Sequence, residues 1–304
     1  MRDAEAMALL KRVSRSFYLS VRLLPAPMRG GVCLGYLLAR ASDTLADAQK
    51  NPALLDAFED RLRAECSRHV GTGILPAADS SETVEQELPG NKNEQQLLAR
   101  LPDVFDALGR LSREEAELIR EVVTTIIGGQ RLDMQRFAIA SAEHVVTLAD
   151  AAELDDYTSR VAGSVGQFWT RLGFLTLKSR FSAMEPSMLE ALGIRFGKGL
   201  QLVNILRDTH EDLAAGRGYL PTDRTEWMEI ARDHLAAGLA YAAAMRLKRL
   251  HIAVALPARI GIDTLDAIKA AGPGTVDRRI KIPRNRVWWH LAAACKSSLS
   301  RGDV

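Results

Sequence analysis

Apolar residues recur at intervals of three and four along most of this 304-residue chain. The stretches 114–137, 183–208 and 231–250 carry the pattern, and no stretch alternates apolar and polar residues over the length of a strand. Spacing by threes and fours gathers apolar side chains on one face of an α-helix, whereas a half-buried strand needs a period of two. The spacing therefore predicts an all-α protein. Breaks are expected at 25–27, 71–93, 214–225 and 272–286, where Pro, Gly and polar residues gather. The polar stretch 71–93 reads as a mobile loop inside a single domain covering 1–304, because the same helical character resumes after it.

Two of these helices carry charge where a core helix should not. On a helix over 28–47, Tyr36, Arg40, Asp43 and Asp47 fall within about 60° of arc, with Arg29 on the same stripe. The other faces are apolar or small, including Val32, Leu34, Leu37 and Leu38. Charge is costly to bury unless it is paired or binds a metal. Taken alone, this D-x-x-x-D also fits a solvated helix end with an i,i+3 contact between Arg40 and Asp43.

The second stripe lies in "GLQLVNILRDTHEDLAAGRGYLP", 199–221. Gln201, Asn204, Asp208 and Asp212 fall within about 80° of arc, Glu211 sits at the edge, and His210 points away. Leu202, Val203, Ile205 and Leu206 fill the remaining sides. A solvated face accounts for the aspartates but poorly for Gln201 and Asn204 inside so apolar a run. Carboxylate and amide oxygens together suit a hard cation such as Mg²⁺. If the two stripes face one cavity, Mg²⁺ held by the carboxylates would bridge to a diphosphate. Arg40 and Arg207 would add countercharge, and an apolar wall would take a hydrocarbon tail.

Composition narrows the partners. A net charge of +2 gives no reason to expect nucleic acid. Cys33, Cys66 and Cys295 are scattered and odd in number, which suits a reducing compartment and a cytoplasmic protein. The start, "MRDAEAMALLKR", lacks the apolar core of a signal peptide, and no apolar run is long enough to span a bilayer. In 281–296, Lys281, Arg284 and Arg286 accompany Trp288 and Trp289. That mixture fits either transient peripheral contact with an anionic membrane or core packing of the indoles. No Gly-rich dinucleotide fingerprint follows a strand, so no NADPH site can be placed by motif.

At these residues the sequence resembles the squalene/phytoene synthase family, the head-to-head prenyl transferases. The resemblance runs through "SRSFYLSVRLLPAPMRGGVCLGYLLARASDTLAD" (14–47), "GGQRLDMQRF" (128–137), "YTSRVAGSVGQFW" (157–169) and "LQLVNILRDTHEDLAAGRGYLP" (200–221). It implies an isoprenoid-synthase-type helical fold around a central cavity. It also implies one metal–diphosphate cluster at Asp43 and Asp47 and another at Asp208 and Asp212. Gln201 and Asn204 match positions lining that site, with Asn204 a further metal ligand. Tyr36, Arg40, Arg207 and Tyr219 match positions near the diphosphates, and Ser14, Arg15 and Ser16 open the diphosphate-binding region. Tyr157 matches the tyrosine of the chemistry. Gly163 and Gly166 are expected to allow close helix approach or a helix break. Phe168, Trp169, Leu172 and Phe174 either line a dry wall or pack the core.

The implied activity is Mg²⁺-dependent joining of two prenyl diphosphates, with farnesyl diphosphate as substrate. It would run through presqualene diphosphate to squalene or a related C30 product, with NADPH for the reduced product. "RASDT" in the first motif leans towards squalene-type members. The alternatives are a phytoene synthase acting on two geranylgeranyl diphosphates, a member that stops at presqualene diphosphate or hydroxysqualene, and a non-catalytic relative serving in assembly or lipid binding. Three departures stand out. Ala46 occupies a position that is acidic in many squalene synthases, Arg160 one that is often aromatic in eukaryotic members, and the eukaryotic C-terminal membrane anchor is expected to be missing.

Overall fold

The computed structural model describes residues 1–14, 17–47, 52–67 and 89–272, with Pro283, Arg286, Trp289, His290 and Ala294 beyond them. The first helices are α1 (Asp3–Val13), α2 (Phe17–Leu23), α3 (Ala26–Asp47), α4 (Pro52–Ser67), α5 (Lys92–Ala99), α6 (Leu101–Leu108) and α7 (Arg113–Arg136). They are followed by α8 (Ala151–Thr158), α9 (Ser164–Leu177), α10 (Pro186–Ala214), α11 (Arg224–Ala244) and α12 (Lys248–Ala271). The expectation of an all-α protein holds. The described strands, β1 (Val146–Thr147) and β2 (Arg217–Gly218), form one short parallel pair. The chain divides into two compact units, one made of 1–15 and 30–127, the other of 16–29 and 128–304.

Local signals set several helix ends. Asn91 caps α5 by accepting from the backbone N–H of Asn93 and Glu94, while Glu94 reaches back to the Asn91 N–H. This reciprocal cap starts a helix at Lys92, two residues inside the expected loop. Residues 71–88 of that loop lie outside the described residues. Glu185 caps α10 and Pro186 occupies its first turn, where a missing N–H costs nothing. The stretch 231–250, expected as one helix, is two. Its apolar spacing continues, but the chain is pulled extended at Met245. The Ser182 hydroxyl donates to Ala244 O at 2.9 Å, and Arg246 N–H donates to Phe181 O at 3.1 Å. These long-range bonds have no trace in a local period.

In the first unit, Leu10, Leu37, Leu38, Leu62, Leu97, Leu108 and Ile119 are fully buried. Cys33 lies in the same packing, and burial pushes its thiol up to about 12, which makes it an inert core residue. The second unit is organised around α10, whose Leu202, Val203, Ile205 and Leu206 pack with Leu154, Trp227, Leu235 and Leu265. Among the described residues no helix is long and apolar enough to cross a membrane.

A π-helical turn, Ser159–Gly163, joins α8 to α9. This turn and α9 meet α10 backbone against backbone. A Cβ on Gly166 would lie 1.9 Å from the Gly193 carbonyl oxygen, and one on Gly197 would lie 2.0 Å from the Ala162 oxygen. Gly166 thus has the close-approach role expected of it. Gly166→Ala should cost about 3 kcal/mol or more, because neither backbone can yield without parting the helices. Gly30→Ala in α3, where a Cβ meets nothing within 4 Å, should instead stabilise by about 0.5–1 kcal/mol. Urea unfolding of both variants checks the contrast, and equal shifts of the same sign would refute it.

Candidate functional site

In the first unit the stripe on α3 is real, and Arg40 sits at its centre. Arg40 Nη1 donates to Asp43 Oδ2 at 2.5 Å, and Nη2 pairs with Glu94, the N-terminal capping residue of α5. The Arg40 Nε is buried and has no hydrogen-bond acceptor among the described residues. Protein crowds the Asp43 carboxylate although 43% of its side chain stays accessible. Burial, reinforced by Asp47 and only partly offset by Arg40, pushes Asp43 up to about 6. The same field acts on Tyr36, whose phenol is raised by burial and hydrogen-bonds Ser14. The structure therefore joins Ser14, Tyr36, Arg40 and Asp43, with Asp47 exposed at the helix end. Arg29 does not join them, because it folds back to donate to the Leu24 carbonyl oxygen at 2.6 Å. Arg15 and Ser16 lie outside the described residues.

In the second unit α10 presents the other stripe. Asn204 is exposed and donates to Gln201 Oε1 at 3.4 Å. Arg207 grips Asp208 with two bonds, Nε to Oδ1 at 2.8 Å and Nη2 to Oδ2 at 2.5 Å. One turn on, Arg217 Nη2 lies 3.4 Å from Asp212 Oδ1. That contact is too long to offset the losses, and burial, with Asp208, Asp133 and Glu211 adding repulsion, pushes Asp212 up to about 6. Tyr219 is buried, and its hydroxyl donates to Asp133 Oδ2 at 2.8 Å. Tyr157, two residues before the π turn, stacks on Tyr219 with ring centroids 5.3 Å apart. π-helical turns re-aim the residues beside them and recur at functional sites. His210 is exposed and off the stripe, as expected.

Other expectations resolve more plainly. Phe168, Trp169 and Leu172 are buried, and Phe174 packs edge-on against Phe181. Trp289 is 61% exposed, while Arg286 is bound to Asp263; Lys281, Arg284 and Trp288 lie outside the described residues. Sequence reading missed Glu94, Asp133 and Arg217. The N-x-x-E cap around Glu94 was visible as a helix start, but nothing local tied it to Arg40. Asp133 stood inside a segment singled out only for its likeness.

The metal expectation meets two facts. Among the described residues no three His, Cys, Asp or Glu side chains gather as a metal-binding group. The donor chemistry of each cluster nevertheless fits Mg²⁺, which is commonly held by one or two carboxylates and completed by water and phosphate oxygens.

Comparisons with known proteins bear on the family and the fold. A family model described as squalene/phytoene synthase matches residues 10–227. A bifunctional lycopene cyclase/phytoene synthase of Pyrenophora tritici-repentis is 30% identical over 78% of this chain and 36% of its own length. A probable squalene synthase of Neurospora crassa is 26% identical over 90% of this chain and 58% of its own. The chain thus spans between about a third and three fifths of these curated relatives. The structure of TcSQS with the ligand BPH1237 matches with a TM-score of 0.73 at 22% identity, over 98% of this chain and 88% of that one. At that identity the likeness shows the helical fold.

The two raised carboxylates make stability depend on pH. Each has a folded pKa above its unfolded value near 3.8, so each contributes stability below about pH 4 that is lost as pH rises through about 6. Asp43→Asn and Asp212→Asn should therefore stabilise the ligand-free protein at pH 7.5. The gain should be about 1 kcal/mol each, well under the ~1.4 kcal/mol per unit of full burial, since both side chains keep some water. At pH 4 the gain should vanish. Thermal melts of variant and parent at both pH values measure the difference, and a variant no more stable at pH 7.5 contradicts it.

Proposed function

The chain belongs to the squalene/phytoene synthase family, and from that premise we propose that it joins two farnesyl diphosphates head to head. Presqualene diphosphate would be the first product, and squalene or a related C30 hydrocarbon the last. The observation that carries this reading is the pair of acidic clusters. Each has an aspartate near pKa 6, where the surrounding protein leaves negative charge undercompensated, and each has an arginine already aligned on carboxylate oxygens. Both units would act as one catalytic domain.

Asp43 and Asp47 would hold Mg²⁺ in one cluster, and Asn204, Asp208 and Asp212 in the other. Bound there, the cation would draw negative charge from a departing diphosphate. Arg40 and Arg207 would turn from their carboxylates to diphosphate oxygens, and the unpartnered Arg40 Nε–H is suited to that exchange. Ser14, Arg15, Ser16, Tyr36 and Gln201 would complete the diphosphate contacts. The C–O bond of one substrate breaks to an allylic cation, the double bond of the other attacks it, and loss of a proton closes the cyclopropane. The Tyr157 phenol would steer that proton or steady the cation. NADPH would supply hydride if the product is fully reduced.

A second reading has its own support. The Pyrenophora relative is a bifunctional lycopene cyclase/phytoene synthase, which favours two geranylgeranyl diphosphates. Product analysis with C15 and C20 diphosphates, each with and without Mg²⁺ and NADPH, separates the two. We expect Mg²⁺-dependent C30 product from the C15 substrate. Asp43→Ala and Asp208→Ala should each lower turnover by about 10²-fold or more, and Tyr157→Phe should slow turnover or change the product. Absence of diphosphate release from either substrate would leave the non-catalytic reading.

A hydrocarbon product would have to reach a membrane, and the exposed Trp289 in its basic segment suits peripheral contact by a cytoplasmic enzyme. Sedimentation with anionic vesicles should deplete the protein from the supernatant, and Trp289→Ala should weaken that. Protein that stays in the supernatant at low salt rules the contact out.

A further inference from the structure

The last turn of α7 is built to hold one side chain. Asp133 lies in that turn and Phe137 just past its end, four residues on, with the Phe137 N–H donating to Asp133 O at 3.0 Å. Asp133 Oδ2 accepts the Tyr219 hydroxyl at 2.8 Å, and the Phe137 ring meets the Tyr219 ring edge-on at 5.1 Å. The short sheet fixes the backbone just before Tyr219: Val146 N–H donates to Gly216 O at 2.8 Å and Leu148 N–H to Gly218 O at 2.9 Å. Tyr219 is 8% exposed and cannot swing. Its phenol is raised by burial, with Tyr157 and Asp133 adding to the effect, so it stays neutral and keeps donating. Tyr157 then lies on this fixed ring at an interplanar angle of 27°.

We propose that Asp133 is a positioning residue for Tyr157, acting through Tyr219. Asp133 and Phe137 clamp Tyr219, Tyr219 serves as a flat platform, and the platform limits where the Tyr157 ring can rest. This role gives "LDMQRF" a physical meaning: the carboxylate and the aromatic ring at i and i+4 are the two jaws. It also gives Tyr219 a duty other than touching a diphosphate. The inference rests on the proposed role of Tyr157 in turnover, but the clamp itself is visible without substrate.

The test uses the whole chain. Asp133→Asn keeps an oxygen that accepts the Tyr219 hydroxyl, whereas Asp133→Leu has similar size and no acceptor. In near-ultraviolet circular dichroism of the ligand-free protein, the Leu variant should lose the tyrosine signal that Tyr157→Phe also loses, and the Asn variant should retain it. With the active prenyl diphosphate, the Leu variant should lose about 10-fold to 10²-fold in kcat at little-changed KM, and the Asn variant should recover most of it. On a Tyr219→Phe background, Asp133→Leu should cost nothing further, because the bond it breaks is already gone. An unchanged tyrosine signal in a folded Leu variant overturns the proposal. So does a kcat loss of the same size on the Tyr219→Phe background. If the Leu variant does not fold, Tyr219→Phe alone decides, since it removes the same bond and must lower kcat. A parent protein inactive on both C15 and C20 diphosphates would end the proposed function, while the ligand-free spectra would still decide whether Asp133 holds the tyrosine pair.

Discussion

The contact on which the second unit depends is made between two backbones. Gly166 and Ala162 lie against Gly193 and Gly197 so closely that no Cβ fits between them. This contact fastens α9 and the π turn to α10, the helix that carries Gln201, Asn204, Asp208 and Asp212. Tyr157 lies in the last turn of the helix leading into that π turn, so its backbone position relative to the acidic stripe depends on the same contact. Packing of larger side chains would leave a compressible layer between the helices. Carbonyl against glycine leaves none, and small errors in spacing are not absorbed. A site that must hold charged groups to within fractions of an ångström gains from such a rigid base.

Within each unit, taken by itself, a guanidinium is paired with carboxylate oxygens. Arg207 takes both oxygens of Asp208, and Arg40 is shared between Asp43 and Glu94. Each guanidinium is thereby held in a fixed orientation. Compensation is incomplete all the same. Asp212 has Arg217 only at 3.4 Å, and Asp43 is repelled by Asp47. A chain selected for stability alone would replace these aspartates with amides. Aspartates held at that cost fit a trade of stability for function.

The helices were legible where their spacing was local, and their partners were not. Residues 114–137 became α7 (Arg113–Arg136), because every turn of that helix advertises its own apolar face. α10 runs to Ala214, beyond the apolar pattern that ended near 208, because its last turns carry Asp208 and Asp212 instead. The two stripes could be drawn from helical geometry alone. Glu94, 54 residues from Arg40, and Asp133, 86 residues from Tyr219, could not, since nothing in a local window states which distant element will face a side chain. Arg29 failed for the opposite reason: it had the right angle on α3, but a closer acceptor at Leu24 O took its guanidinium.

Ala46 shows how a departure in a motif reads once its surroundings are known. The residue is buried at 7% exposure, so an acid there would lose most of its hydration. The charge it omits is supplied from elsewhere. Glu94 repels Asp43 and shares its arginine, which sets three carboxylates, Asp43, Asp47 and Glu94, against one guanidinium. In the second cluster Asp133, Asp208, Glu211 and Asp212 act against Arg207 and Arg217. In the first cluster the added carboxylate comes from α5 rather than from the motif on α3. The loss of one acid from the motif therefore changes which helix carries the charge more than it changes the charge itself.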